Sequence, residues 1–177
     1  MLSLLKRKSR EWRTNRWNIG FVEEGIGAVL SSQKLQVHWM KHNYKDRWFA
    51  DPFILEYNEE HIIVLVEEYS YQRKIGRLAK LIVDRKTYRC LSMNIILELP
   101  SHLSFPFILR KDGCVYILPE NSEKNNWLVY QYNVKTDELV LMHSICNLPL
   151  TDATIAHING KDYVISTQIP NQNKNCL

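Results

Sequence analysis

The sequence predicts an all-β fold built from repeated antiparallel sheets, and two observations lead to this prediction. First, one motif occurs three times, at residues 50–55 (ADPFIL), 104–109 (SFPFIL) and, in a weaker form, 151–156 (TDATIA). Second, each copy is followed by a turn and then by an apolar segment typical of a β-strand. No stretch longer than about three turns keeps the 3.6-residue apolar period of a helix. The repeated unit is therefore built from strands.

The strands can be assigned in order along the chain. Their segments are short, rich in β-branched and aromatic residues, and separated by polar turns. They cover residues 47–55, 61–69, 75–83, 90–99, 105–109, 114–118, 127–132, 138–144, 154–158 and 163–167. Hairpin turns are predicted at 111–113 (KDG) and 158–161 (INGK), because Gly and Asn accept positive φ. In the first unit, residues 57–60 (YNEE) lie at the position equivalent to these turns. With the later turns at 84–87 and 134–137, each complete unit predicts four antiparallel strands.

The spacing of the motif indicates the kind of repeat. Pro52 and Pro106 are 54 positions apart, and Pro106 and Ala153 are 47 positions apart, a period typical of β-propeller blades. A β-sandwich would not place the same motif at the start of each unit. We therefore predict an incomplete β-propeller over residues 17–177, with units that begin near 48, 102 and 150. Because a propeller ring needs at least about four blades, we expect a truncated chain, an open arc or closure through another copy. Residues 17–39 are expected to pack on the first blade or to complete a last one.

Composition and charge exclude several classes of protein. The 177 residues are 45% hydrophobic and 24% charged, as in an ordinary globular domain. A basic leader at 1–16, expected to form a short helix around 2–12, lacks the interleaved aromatic residues of a nucleic-acid-binding segment, so no nucleic-acid partner is expected. With no signal-peptide core and no membrane span, the sequence favours a cytoplasmic protein. The four Cys and six His are dispersed, so we predict neither a disulfide, nor a metal site, nor a cofactor.

Four segments resemble a known family: residues 48–53 (WFADPF), 102–107 (HLSFPF), 118–120 (LPE) and 151–154 (TDAT). The sequence resembles the N-terminal domain of plant glucosamine inositolphosphorylceramide transferase, which is also found in bacterial proteins. That domain is similar to the five-bladed β-propellers of glycoside hydrolases of the arabinanase and xylosidase kind. The resemblance spans about residues 17–168. It implies a partial five-bladed β-propeller of about two and a half blades.

The resemblance also implies candidate catalytic residues. In the hydrolases, the first strands of successive blades point acidic side chains into the central funnel, where one carboxylate acts as general base and another as general acid. The resemblance places Asp51 at the position of the base. The alternative is structural, because an Asp before Pro commonly accepts backbone hydrogen bonds and can cap the inner strand of its blade. Asp152 lies at the equivalent place in the third unit and is the candidate acid. Phe105 stands at that place in the second unit, so the usual set of three carboxylates is incomplete.

Further acidic residues are candidate ligand contacts. Glu67 and Glu120 end the second strands of their units in register, where such an acid can bind sugar hydroxyls, accept from backbone amides, or pair with Arg73 or Lys74. Glu120 is either a ligand contact or a satisfied loop carboxylate. Because side chains alternate along a strand, Glu67 and Glu68 face opposite sides of the sheet, and only one of them can point toward a site.

Three more residues complete the candidate ligand-binding set. His102 and Ser104 precede Phe105 and can replace a carboxylate as hydrogen-bond donors to a sugar. Trp48 is either an aromatic platform for a sugar ring or a residue that packs between blades.

Three functions are compatible with these observations. The preferred prediction is a domain that recognises a carbohydrate or a sugar nucleotide, is associated with glycan biosynthesis, and is not catalytic on its own. The alternatives are a glycoside hydrolase with Asp51 as general base, and a structural fragment without a ligand. Since an open arc leaves a blade face uncovered, we also expect self-association through that face.

Overall fold

The computed structural model describes residues 16–31 and 34–168. The basic leader therefore lies outside the described residues except for its last position, and so does its expected helix. Nearly all of the regular secondary structure in the described residues is β-strand, which confirms the predicted all-β class. Their strands are β1 (Gly20–Phe21), β2 (His38–Trp39), β3 (Arg47–Tyr57), β4 (His61–Ser70), β5 (Ile75–Asp84), β6 (Cys90–Leu97), β7 (Ser104–Lys111), β8 (Cys114–Glu120), β9 (Trp127–Asn133), β10 (Glu138–Cys146), β11 (Leu150–Ile158) and β12 (Lys161–Gln168). A short helix α1 (Ile26–Leu30) and a 3₁₀ turn (Ser122–Lys124) are the helical elements among them.

The strands form four antiparallel sheets. The first sheet has the order β3-β4-β5-β6, the second sheet has the order β10-β9-β8-β7, and the third sheet contains β11 and β12. A short N-terminal pair joins β1 to β2. The four-stranded antiparallel unit predicted from the repeat is thus present twice. The first predicted segment of the third unit, 154–158, is longer than expected because its strand begins at Leu150.

Hairpin turns have the conformation that their sequences predict. Asp112 and Gly113, at the β7–β8 turn, have φ of 51° and 75°. Asn159 and Gly160, at the β11–β12 turn, have the same values. Two consecutive residues with positive φ match the right-handed twist of the flanking strands, so these turns fix the pairing of each hairpin.

Apolar side chains pack between successive sheets. Leu55, Leu65 and Leu78 of the first sheet are buried against Leu103 and Ile117. Between the second and third sheets the buried residues are Leu118, Trp127, Val129 and Ala153. The sheets are therefore stacked in chain order, each face burying leucine-rich or aromatic surface that supplies most of the driving force for folding.

The outer face of the first sheet is covered by the N-terminal segment. Ile19 and Met40 are each 3% exposed and pack with Phe49, Val64 and Leu81. Of the two roles expected for residues 17–39, the structure shows packing on the first sheet.

Candidate functional site

The recurring motif forms a β-bulge in the leading strand of the first, second and third sheets. Strand pairing shifts between Ala50 and Phe53 in the first sheet, and the same shift occurs at 104–107 and 151–154. Asp51, Phe105 and Asp152 have φ of 49°, 44° and 51°. A left-handed backbone costs a non-glycine residue about 1–2 kcal/mol. The bulges therefore need hydrogen bonds that hold them in place.

Carboxylates of one sheet hold the bulge of the next. Asp51 Oδ2 accepts a hydrogen bond from Phe105 N at 3.2 Å. Glu120 Oε2 accepts from Asp152 N at 3.0 Å, and its other oxygen accepts from Ser122 Oγ at 3.0 Å. In the second sheet Glu120 thus supplies the cap that Phe105, which has no carboxylate, cannot provide. These contacts are those of the satisfied loop carboxylate, one of the two interpretations of Glu120.

Glu67 and His102 form a side-chain hydrogen bond beside Asp51. His102 Nε2 lies 2.9 Å from Glu67 Oε1. Gly76 N–H donates to His102 Nδ1 at 3.1 Å, which requires that nitrogen to be unprotonated. The ring proton therefore lies on Nε2 and is donated to Glu67. The contact with Glu67 raises the pKa of His102, but protonation of Nδ1 would break the bond from Gly76.

Gly76 is necessary for this close approach. A Cβ atom at this position would lie 2.5 Å from the Leu103 carbonyl, 2.7 Å from His102 Nε2 and 2.8 Å from Glu67 Oε1. Leu103 N–H also donates to Gly76 O at 3.0 Å, which ties β5 to the segment before β7. Gly76 was missed from the sequence, although an isolated glycine within a strand is a signal of close backbone approach.

Asp51 and Glu67 interact through their carboxyl groups. The two side chains are within hydrogen-bonding reach of each other, and Glu67 is only 5% exposed. Burial raises the pKa of both carboxyl groups, and the nearby charge of Asp152 raises that of Asp51 further. Two adjacent carboxylates cannot both ionise without repulsion, so this pair favours holding one proton. We call Asp51, Glu67 and His102 the acidic cluster.

Glu68 points to the opposite face of the first sheet, as strand alternation predicts. It is fully buried and lies 2.9 Å from Arg77 and 3.1 Å from Arg47. Arg77 also contacts Glu98 at 2.9 Å. The cationic side chains next to Glu68 are therefore engaged with carboxylates on the face away from the acidic cluster.

An aromatic strip leads to the acidic cluster. Trp48 stacks on Tyr69 with ring centroids 4.8 Å apart and an angle of 5° between the rings. The Tyr69 ring is in turn 6.1 Å from the imidazole of His102. Trp48 is thus separated from the cluster by Tyr69, a residue that sequence reasoning did not select.

The remaining predicted residues lie at the edge of the cluster or outside it. Ser104 pairs with Glu120 in the β7–β8 ladder. Asp152 is exposed. The rings of Phe105 and Phe53 have centroids 4.9 Å apart, and this contact is part of the packing between the first two sheets. Among the described residues, no group of three or more His, Cys, Asp and Glu side chains has the arrangement of a metal site.

Comparison with known proteins identifies the family. A model of the family described as glucosamine inositolphosphorylceramide transferase 1, N-terminal, matches residues 33–176. The chain belongs to this family. It is also similar to an Arabidopsis thaliana protein named glucosamine inositolphosphorylceramide transferase 1, with 27% identity over 154 residues. This alignment covers 85% of the chain but 20% of the relative, so the chain spans about a fifth of that protein's length.

A comparison with solved structures and the helices of the chain complete this description. No solved structure matches the chain. In the described part of the chain, no helix has both the length and the apolar character needed to cross a bilayer. The family assignment agrees with the resemblance found in the sequence, and the roles of individual residues have to be argued from the geometry above.

Proposed function

We propose that this chain is a carbohydrate-recognition domain associated with glycan biosynthesis, and that its sheets are successive blades of a partial β-propeller. Three features support the propeller: the shared bulge, the carboxylate caps between neighbouring sheets, and the stacking of the sheets in chain order. The family assignment supports the link to glycan biosynthesis, because its description names a glucosamine inositolphosphorylceramide transferase. The cytoplasmic location remains a prediction.

The acidic cluster has the chemistry of a sugar-binding site. Carboxylates accept hydrogen bonds from hydroxyl groups, and the imidazole of His102 can donate or accept when its contact with Glu67 is exchanged for a ligand. Tyr69, beside His102, presents an aromatic ring next to these polar groups. A few polar groups beside an aromatic surface are typical of sites that recognise one face of a sugar ring.

One observation favours recognition over hydrolysis: the carboxyl groups of Asp51 and Glu67 lie within hydrogen-bonding reach of each other. Inverting glycosidases separate their two carboxyl groups by about 6.5–9.5 Å and retaining ones by about 5–5.5 Å, because a sugar and a water or a nucleophile must fit between them. Asp51 and Glu67 are closer together than either spacing. Each carboxylate is also occupied by a structural partner, Phe105 N–H for Asp51 and His102 for Glu67.

Local charge favours a neutral carbohydrate over a sugar nucleotide. Glu120 and Glu123 both lie close enough to raise the pKa of His102, and Asp152 lies near Asp51. The diphosphate of a sugar nucleotide would approach these carboxylates, while Arg47 and Arg77 are engaged with Glu68 on the opposite face of the first sheet. Like charges at close range disfavour such a ligand.

A titration followed by NMR tests the proposal. The imidazole signals of His102 are recorded as neutral oligosaccharides and, separately, sugar nucleotides are added to the whole chain. We expect shifts with a neutral oligosaccharide, and binding weakened about tenfold or more in Glu67→Gln because a charged hydrogen bond is lost. Glu60→Gln is the matched control, since Glu60 lies in the β3–β4 turn with a side chain that is 82% exposed. If no sugar moves the His102 signals, recognition is refuted and the structural-fragment alternative is favoured.

The hydrolase alternative keeps Asp51 as general base and Asp152 as the candidate acid. Glu67 is a second candidate acid, because burial raises its pKa and a general acid must hold its proton near neutral pH, and that choice requires Asp51 and Glu67 to separate when substrate binds. Release of reducing sugar by the whole chain that disappears in Asp51→Asn would support turnover. Sugar binding without any release supports recognition alone.

A further inference from the structure

Three rings lie in a row across one face of the first sheet. Trp48, Tyr69 and Gly76 are direct partners on the adjacent strands β3, β4 and β5. Because Gly76 has no side chain, the imidazole of His102 occupies its place in the row. The ring of His102 is 6.1 Å from that of Tyr69, which is 4.8 Å from that of Trp48. The row therefore follows the spacing of neighbouring strands, which is about 4.8 Å.

Trp48 and Tyr69 lie outside the apolar clusters formed by the described residues. Those clusters join the first sheet to the N-terminal segment and to the second sheet, and the second sheet to the third. Aromatic residues that pack between these elements, such as Phe49, Tyr88 and Trp127, are members of the clusters. Trp48 and Tyr69 are both half-buried. The aromatic-platform interpretation of Trp48 thus has more support than packing between sheets.

Trp48 turns one ring face toward Tyr69 and the other toward the edge of the first sheet. The two rings are nearly parallel, with an angle of 5° between them, so Tyr69 covers one face of the indole. Among the described residues, β3 is an edge strand, and so are the leading strands β7 and β11 of the next two sheets. This edge is therefore common to complete and incomplete sheets. Phe49 N–H donates to Trp17 O here at 3.4 Å, in the plane of the sheet, whereas the Trp48 ring stands out of that plane.

The acidic cluster lies beside the same edge. Asp51 comes three residues after Trp48 on β3, which is at most about 10 Å along an extended strand. Glu67 of β4 is the direct partner of Ala50 and lies between these two positions. Two linked sugar rings fit this distance better than one. A ligand that contacts both Asp51 and Trp48 is therefore longer than a monosaccharide.

We propose that the ligand is a neutral oligosaccharide of at least two residues, and that Trp48, backed by Tyr69, forms a second sugar subsite beside the acidic cluster. This inference rests on the proposed function and adds to it the length of the ligand. One sugar ring accepts and donates hydrogen bonds at the acidic cluster, and the next packs its C–H face on the uncovered face of Trp48. Since Tyr69 already holds the indole in place, little side-chain freedom is lost when the ligand binds.

The dependence of affinity on ligand length tests the second subsite. The whole chain is titrated, with NMR detection, with glucose, xylose and mannose and with a disaccharide of each. We expect a disaccharide to bind about tenfold or more tightly than its monosaccharide, because the second ring removes apolar surface from water. Trp48→Leu should lose this gain, and Trp48→Phe should keep part of it. Tyr57→Leu is the matched control, because Tyr57 is an aromatic residue at the far end of β3 and is 68% exposed.

The outcomes separate this inference from the proposed function. Both Trp48 variants are expected to keep the circular dichroism spectrum and the monosaccharide affinity of the native chain, because leucine and phenylalanine retain apolar bulk. If sugars bind but the disaccharide gains nothing, or if Trp48→Leu keeps the gain or weakens both ligands equally, the second subsite is refuted and recognition at the acidic cluster stands. If none of these sugars binds, the proposed function fails and this inference fails with it.

Discussion

Gly76→Ala is the substitution whose effect can be worked out most directly from the structure. The added methyl group would lie 2.5 Å from the Leu103 carbonyl, so that backbone atom must move by about 0.5 Å to reach even 3.0 Å. Inserting a methyl group into a well-packed site costs about 1–3 kcal/mol. Separating His102 from Glu67 leaves a buried carboxyl group without its partner and costs about 1–3 kcal/mol more. We expect the free energy of unfolding to fall by about 3 kcal/mol.

Urea denaturation followed by circular dichroism measures this loss, with Gly27→Ala as the control. Gly27 lies in α1, and a Cβ atom there would have no other atom within 4 Å. The control should keep or slightly gain stability, by up to about 1 kcal/mol, because alanine favours a helix. The His102 imidazole signals should move in Gly76→Ala and not in Gly27→Ala. If Gly76→Ala unfolds within about 0.5 kcal/mol of the native chain, the close approach described here is wrong.

Three further predictions concern the carboxyl groups. Asp51→Asn should keep or raise the free energy of unfolding in urea, because asparagine accepts the Phe105 N–H bond, tolerates positive φ and removes the repulsion with Glu67. Asp51→Ala removes the cap and should lower the free energy of unfolding by roughly 2 kcal/mol. Equal losses in the two variants would contradict this role. The raised pKa values of Asp51 and Glu67 favour their protonated forms in the folded state, so their contribution to stability is complete below about pH 4 and is lost as the pH rises through the raised values. The melting temperature of Glu67→Gln should therefore fall less than that of the native chain between pH 4 and 7. Parallel plots of melting temperature against pH for the two proteins would count against the raised pKa values. Glu68→Gln should lower the free energy of unfolding in urea by about 3 kcal/mol, because it leaves Arg77 and Arg47 without their buried partner. Glu98→Gln, at a side chain that is 34% exposed, should lower it by less than about 1 kcal/mol. Similar losses in the two variants would show that burial of the ion pair does not matter.

Strand positions could be predicted from the sequence because they depend on local patterns. Alternating β-branched and aromatic residues, with Asp112-Gly113 and Asn159-Gly160 between them, specify hairpins without reference to distant residues. The family could also be recognised, since its motif recurs at regular spacing. The helix α1 was missed because five residues are too few to show a helical period.

Contacts within the candidate site were harder to predict because they join different sheets. Two of these contacts depend on how the first and second sheets stack. One is the hydrogen bond from Phe105 N–H to Asp51, and the other is the approach of His102 to Glu67 beside Gly76. The sequence could place Glu67 and Glu68 on opposite faces through strand alternation. It could not show that the face of Glu68 carries the arginines, because Arg47 and Arg77 come from the two neighbouring strands.

The bulges have a consequence for how the chemistry of such a chain can change. Asp51, Phe105 and Asp152 differ in charge and size, yet their backbones share one conformation, with φ between 44° and 51°. At Phe105 and Asp152 the conformation is held through the backbone amide by a carboxylate of the preceding sheet, and it is the same for an aromatic and an acidic side chain. Acidic and aromatic residues can therefore be exchanged at a bulge while its backbone geometry stays fixed. An acid can be gained or lost at the start of a sheet by a single substitution without a change in its own strand, and at Asp51 the loss also removes the cap of the next bulge.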